Sequence, residues 1–358
     1  MSSIEKFTII IPTHNRPDYL RRVLDYYSSY KAGYNIIVAD SSSDENKRRN
    51  KETISSLPDL KILYFGHYPS EIKYGHKFAD ALDHVETKYC LFCADDDFVV
   101  PNGIEESIDF LEKNEDFVVA HGQTITFYPR IKKEGEEKFY WQLEYRVKSN
   151  TLTDARSRLV EHLASYSVST FYGVHRADFL KMIFRETLRS VEHGRFIELL
   201  LTELTLVYGK MKCLDGLYAA REIILDSTGI VNESINGLIK KKAYEEKYIG
   251  FRKCLVFHLS KNSDLSIEGS CRVVDDAMSA HLKRFRPGPC KQFLMDALDH
   301  LPGTVSGKIE LIYRTMKLKL SKPKGDLLNF IKDPSSAYHG DFIKIRDCVL
   351  SHKEAYKK

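Results

Sequence analysis

Long apolar runs are missing from this chain of 358 residues. No stretch approaches the roughly 20 apolar residues that span a bilayer, so a membrane-spanning helix is not expected. The opening MSSIEKFTIIIP lacks the basic stretch and cleavage site of a secretory leader and passes straight into a strand pattern. Cysteine is sparse: seven residues, an odd number, scattered from Cys90 to Cys348 without the dense spacing of a disulfide framework. A reduced, cytoplasmic protein is the expectation. Internal repeats and low-complexity tracts are absent too. Apolar residues at 43% and charged residues at 29% are ordinary globular values, which exclude whole-chain disorder and a fibrous repeat. The length suits one large α/β domain with an appendage, or two domains.

The net charge of +4 hides an asymmetry. Residues 231–358 carry 24 Lys and Arg against 15 Asp and Glu, a balance of +9, which leaves −5 for residues 1–230. A basic segment of this kind suits nucleic acid, a membrane surface or an anionic substrate, or is simply a solvated helical face.

Strand and helix signals alternate through the first 120 residues. Phe7 to Ile11 is a continuous apolar, β-branched run of the kind buried on both faces of a sheet. Pro12 ends it, Pro17 stands at a first helical position, and Leu20, Val23, Leu24 and Tyr27 follow at helical spacing up to Gly33. Ile36–Ala39, Lys61–Phe65, Tyr89–Cys93 and Phe117–Ala120 read as further strands, with a helix over Phe78–Val85. Short connections between alternating elements imply a mostly parallel sheet covered on both faces. Residues 122–170, with Tyr128, Phe139, Tyr140, Trp141 and Tyr145 among charges, read as an irregular excursion or β-ribbon. Val168–Val174 reads as a strand, Ala177–Phe184 as a helix, and Arg195–Tyr208 as an apolar helix closed by Gly209. Beyond residue 231 helices are expected over Leu238–Leu259, Arg272–Phe285, Gln292–His300 and Ile309–Leu320.

In open sheets of this class, ligands bind beyond the carboxyl ends of the strands. Three polar clusters fall there: Thr13 to Arg16, Asp40 to Ser43, and Asp95 to Asp97. Three adjacent carboxylates repel one another unless cations or donors face them. Hard oxygen ligands suit Mg²⁺ or Mn²⁺, which also bind phosphate oxygens; a solvated acidic turn is the plainer alternative. The turn Pro12–Pro17 offers backbone N–H groups to an anion or a base, or simple capping by Thr13 or Asn15. Asp40 suits either a cap on the following turn or a nucleoside contact. Cys90 and Cys93, three residues apart on a strand, point to opposite faces and read as core thiols.

The ordered trio IIIPTHNRPDYL, IIVADSSSD and YCLFCADDDF resembles the family 2 glycosyltransferases of GT-A fold. The resemblance covers residues 5–115 well and 170–225 loosely. It implies a Rossmann-like α/β catalytic domain over 1–230, with a nucleotide-sugar half at about 1–120 and an acceptor half at about 121–230. A helical, basic C-terminal appendage over 231–358 follows it. The implied activity is inverting, metal-dependent transfer of a sugar from a nucleotide-diphosphate donor to a hydroxyl on a glycan, lipid or protein, as in polysaccharide biosynthesis. The implied donor residues are Pro12, Thr13, Asn15 and Arg16 along the first turn, Asp40 at the base, and Asp95 or Asp96 at the ribose. Asp97 is the implied ligand of Mn²⁺ or Mg²⁺.

Two positions depart from the family pattern. Where an A-R-N stretch is usual, this chain reads Gly75 to Asp80, and Lys77 is the candidate replacement charge, with an exposed helix lysine as the alternative. Where an Asp is usual as catalytic base, counting back from Gly209 gives Glu198. Glu198 stands in an apolar helix, where a carboxylate is costly unless paired or functional. A pair with Arg195 or a solvent-facing position is the alternative, and Glu192 is the reserve base. Arg221 and Glu222 are expected to return to the nucleotide edge. A sugar nucleotidyltransferase is the weaker reading, because PTHNRP lacks a Gly-rich phosphate loop; a non-catalytic scaffold on a transferase fold is the other. Nucleic acid is not an expected partner. A peripheral membrane contact or homo-oligomer through 231–358 is.

Overall fold

A computed structural model describes residues 7–30, 33–130, 138–143, 147–165, 169–223, 235–285 and 331–356. The expected helices at Gln292–His300 and Ile309–Leu320, and Tyr145, lie outside the described residues. The strands are β1 (Phe7–Thr13), β2 (Asn35–Asp40), β3 (Lys61–Phe65), β4 (Tyr89–Phe92), β5 (Phe98–Val99), β6 (Phe117–Arg130), β7 (Lys138–Leu143), β8 (Val174–Arg176) and β9 (Lys210–Glu222). They form one sheet in the order β3-β2-β1-β4-β8-β6-β9-β5, with β7 hairpinned onto β6. The β3-β2-β1-β4 half is parallel. The joins of β8 to β4 and β6 are antiparallel.

Helices α1 (Pro17–Ser29), α2 (Asp44–Ser55), α3 (Tyr74–Asp83), α4 (Pro101–Lys113), α5 (Ala155–Ser165), α6 (Ala177–Ser190) and α7 (Gly194–Tyr208) connect or flank the strands. The two-residue period of β1 sorts its side chains. Ile9 and Ile11 enter a core with α1 and α4, while Ile10 enters a second core with α3, α6 and α7. Cys90 and Cys93 likewise fall in opposite cores. Pro17 opens α1 without a side-chain cap, as its fixed φ allows.

The helices beyond residue 231 divide between the two faces. α8 (Ile235–Lys240), α9 (Tyr244–Lys261) and α10 (Ile267–Phe285) extend the core of α6 and α7. α11 (His339–Ser351) lies on the other face, where Phe342, Ile345 and Val349 join the core of α1. One close approach seats α9: a Cβ at Gly250 would run into the Ser190 carbonyl oxygen at the end of α6. Gly250→Ala is therefore expected to cost about 1–3 kcal/mol, as overpacking does. A thermal midpoint equal to wild type would mean that α9 is not seated there.

Two expected elements differ. The strand expected at Val168–Val174 is a 3-10 turn at Thr170–Tyr172, in which Ser169 Oγ accepts from Phe171 N (3.2 Å), followed by the short β8. The helix expected at Leu238–Leu259 is broken between α8 and α9, where Lys242 takes a left-handed φ of 58°. A left-handed lysine has no signature in the sequence, because glycine is the residue that usually marks such a cap. The excursion opens with the expected ribbon, β6 paired antiparallel with β7, and later contains α5.

Candidate functional site

The three sequence clusters meet at one sheet edge because β1, β2 and β4 are parallel and end together. Thr13 is in register with Asp40, and Cys93 N donates to Ile10 O (3.0 Å) just ahead of the acidic triplet. Asn15, at φ 55°, ties the first two loops. Its backbone N–H donates to Ser42 Oγ (2.7 Å), and its side-chain Oδ1 accepts from Ser43 N (2.8 Å). Asparagine tolerates this left-handed conformation better than most residues.

Asp95, Asp96 and Asp97 are all buried. Asp95 Oδ2 accepts from Thr13 Oγ1 at 2.7 Å. Arg16 reaches both Asp96 Oδ2 (2.9 Å) and Asp95 Oδ1 (3.5 Å). Asp97 Oδ2 accepts from the Tyr172 hydroxyl (2.7 Å) and Arg221 Nε (3.3 Å), and its Oδ1 from Glu222 N (2.8 Å). Burial, and then the Asp96 charge, push the Asp95 carboxyl up to about 6 and the Asp97 carboxyl up to about 7.

Asp40 is fully enclosed. Its Oδ1 accepts from Ser42 N (2.8 Å), and its Oδ2 from Asn50 Nδ2 and the Tyr64 hydroxyl, both at 2.7 Å. Lys77 is 4% exposed. Its Nζ donates to Thr13 O (3.0 Å) and Ser41 Oγ (2.9 Å), binding the first two loops from below. Burial brings its ammonium down to about 8, against the pull of Asp95 and Asp40. Pro12, Thr13, Asn15, Arg16, Asp40, Lys77 and Asp95 to Asp97 are thus gathered in one place.

Glu198 stands in the opening turns of α7, with Arg195 Nη1 at 3.7 Å from its Oε2. Its side chain keeps 40% of its surface, yet protein surrounds it closely enough that burial raises its carboxyl, with Arg195 and Arg221 opposing. Arg221 therefore acts electrostatically on both Asp97 and Glu198. Glu192 lies out in solvent, paired with Lys73 at 2.9 Å.

Among the described residues, no group of three His, Cys, Asp or Glu converges as a self-sufficient metal cage. The acidic loop fits another mode, in which one or two carboxylates hold a hard divalent ion and phosphate and water oxygens complete its shell. Three donors occupy three of the roughly four lone-pair positions of Asp97, leaving one for such an ion. The crowding of buried carboxylates is what a cation would relieve.

Burial of Asp97, with the Asp96 charge beside it, has a pH signature. The Asp97 carboxyl binds its proton more tightly in the folded chain than at its ordinary value of 3.8. Its contribution is therefore full below that value and is lost as pH rises through about 7. In metal-free buffer, the urea midpoint of wild type should fall relative to that of Asp97→Asn as pH is raised from about 4 to about 8. A difference that stays flat across that range would refute a raised Asp97 carboxyl.

Several partners were not anticipated from the sequence: Arg22, Asn50, Tyr64, Tyr172 and Tyr356. Arg22 had a signal, since it interrupts the apolar stripe of α1 between Tyr19 and Tyr26 and is fully buried.

The Glycosyl transferase family 2 model matches residues 8–179. An uncharacterized glycosyltransferase of Rickettsia typhi is 32% identical over 126 residues, 33% of this chain and 36% of that protein. One of Rickettsia prowazekii is 32% identical over 122 residues, again 33% and 36%. The matched part thus spans about a third of the length of these relatives. Among solved structures, S. aureus TarS 1–349, crystallised with UDP-GlcNAc, superposes with a TM-score of 0.51 at 15% identity, covering 98% of this chain and 91% of that one.

Proposed function

We propose, for a chain whose residues 8–179 match the Glycosyl transferase family 2 model, that it moves a sugar from a nucleotide-diphosphate donor to a hydroxyl acceptor with inversion at the anomeric carbon. One observation carries this reading. Buried Asp95 to Asp97 stand at the carboxyl edge of the parallel strands among Arg16, Lys77 and Arg221, while Glu198 occupies a separate helix that feels the same Arg221.

The nucleoside lies along Pro12, Thr13 and the loop after β2 that enclosed Asp40 shapes through Ser42 N, Asn50 and Tyr64, with Asp95 or Asp96 toward the ribose. Lys77, held between the first two loops, and Arg221 supply positive charge toward the diphosphate. Asp97 would hold a Mn²⁺ or Mg²⁺ ion, which when bound neutralises charge on the departing diphosphate. Glu198 accepts the proton of the acceptor hydroxyl as its oxygen bonds to the anomeric carbon. The bond from that carbon to the phosphate oxygen breaks, and the nucleoside diphosphate departs from the opposite side. The acceptor is a hydroxyl of a glycan, lipid or protein. No described helix is long and apolar enough to cross a membrane, and the +9 balance of residues 231–358 suits a peripheral anionic surface.

Thermal shift against a panel of nucleotide-diphosphate sugars, with Mn²⁺ or with EDTA, tests the donor assignment. A donor that stabilises the protein only with Mn²⁺, and is then converted to free nucleoside diphosphate, is the expected result. A protein that stabilises with no donor under either condition would defeat the proposal, and stabilisation without turnover in the presence of hydroxyl acceptors would favour a scaffold.

A further inference from the structure

A buried cluster lies under the acidic loop, and one of its members comes from the far end of the described chain. Arg22 Nη2 donates to the Asp96 carbonyl oxygen at 2.8 Å. Its Nη1 donates to Glu222 Oε2 at 2.6 Å and also to the Tyr356 hydroxyl. That hydroxyl donates in turn to Glu222 Oε2 at 3.0 Å. Glu222 then uses its backbone N–H to hold Asp97 Oδ1 at 2.8 Å. Two of the three acidic residues are thus fixed from below, one through Arg22 and one through Glu222. Tyr356 touches both supports.

The turn that carries Tyr356, Lys353–Tyr356, is delivered by α11. Asp341 accepts from the Tyr30 hydroxyl (2.8 Å) and from Asn102 Nδ2 (2.9 Å). His352 Nε2 lies 2.7 Å from Asp25 Oδ2. The Tyr356 ring packs edge-on to Tyr19, with centroids 6.2 Å apart, and the Arg22 guanidinium lies 5.7 Å from its centre. Arg22 and Glu222 have side chains 0% and 1% exposed. Water therefore has no access to replace a lost partner, and a buried ion pair depends on complete hydrogen bonding to hold one geometry.

We propose that Tyr356 is a positioning residue for the donor site, acting through Arg22 and Glu222 to fix the acidic loop in its binding geometry. The inference rests on the donor reading above for its functional consequence, but not for its structural one. Without the hydroxyl, Glu222 Oε2 keeps only Arg22, the pair is free to shift, and the Glu222 N–H and the Arg22 contact to Asp96 shift with it.

Tyr356→Phe in the full chain removes only the hydroxyl and keeps the packed ring. Hydrogen exchange, followed by mass spectrometry, should show the amides of residues 94–98 exchanging about tenfold faster, the scale of one hydrogen bond to a charged group. Amides of β1 and α11 should be unchanged. Titrated with UDP and Mn²⁺ as probes, the variant should bind about tenfold more weakly. Glu222→Gln should give a similar loss, and the double variant little more, because the two act through one network. Exchange at residues 94–98 equal to wild type would overturn the proposal, even with a lowered thermal midpoint, since Tyr356 would then only anchor α11. Fully additive losses in the double variant would overturn it as well. If wild type binds neither UDP nor GDP, the donor reading fails by itself, and the exchange measurement still decides the coupling.

Discussion

Asp97→Ala is expected to remove metal-dependent nucleotide binding while leaving the chain folded. Asp97 gathers the Tyr172 hydroxyl, Arg221 and the Glu222 N–H around one carboxylate. Its third position in the acidic loop is where family resemblance puts the metal ligand. Changing residues that merely orient a ligand costs 10–100-fold in metal affinity. Removing the ligand itself should cost at least about 100-fold in the Mn²⁺-dependent affinity for UDP. The fold should survive, because the alanine relieves a crowded buried charge and Arg221, 40% exposed, can turn to water. Calorimetric titration of UDP into wild type and variant, with Mn²⁺ and with EDTA, reads the loss. A variant that retains the Mn²⁺-dependent part of its affinity would remove Asp97 from the metal site.

Glu198→Gln should retain donor and metal binding and lose transfer by about 10²- to 10⁴-fold, the usual worth of a general base. An alcohol is a weak nucleophile, and the carboxylate that takes its proton must lie across the donor from the leaving diphosphate. In the proposed arrangement Asp95 to Asp97 serve the leaving-group side, and Glu198 stands on a separate helix, α7. Burial raises the Glu198 carboxyl, with Arg195 and Arg221 restraining it. The wild-type rate should therefore climb with pH through a midpoint above the ordinary 4.5, as the base loses its proton, and that limb should vanish in Glu198→Gln. Glu192→Gln should change little, because Glu192 is exposed and tied to Lys73. If Glu192→Gln were inactive and Glu198→Gln near wild type, the base would lie at the other position, outside α7.

The parallel half of the fold and its ligand edge were legible because they follow from local rules. An apolar, β-branched run followed by a polar turn marks both a buried strand and where its side chains leave the core. That is how Thr13, Asp40 and Asp95 to Asp97 were brought together without coordinates. Lys77 was legible only as a charge near the right turn; its burial under Thr13 and Ser41 depends on how α3 packs. Arg221 and Glu222 were expected near the edge, but the 13-residue strand β9 that carries them was not, because its residues KMKCLDGLYAARE mix two periods. Tyr356 had no legible signal at all. Its contact with Arg22 joins residues 334 positions apart, and nothing local in either segment records the other.

A crystal structure with UDP and Mn²⁺, phased on the Mn²⁺ anomalous signal, tests the central claim most directly. The metal is predicted on an Asp97 carboxylate oxygen, the base beside the loop that follows β2, the diphosphate toward Lys77 and Arg221, and Glu198 across from the β-phosphate. A Mn²⁺ peak away from the acidic loop, or Glu198 on the same side as the diphosphate, would contradict it.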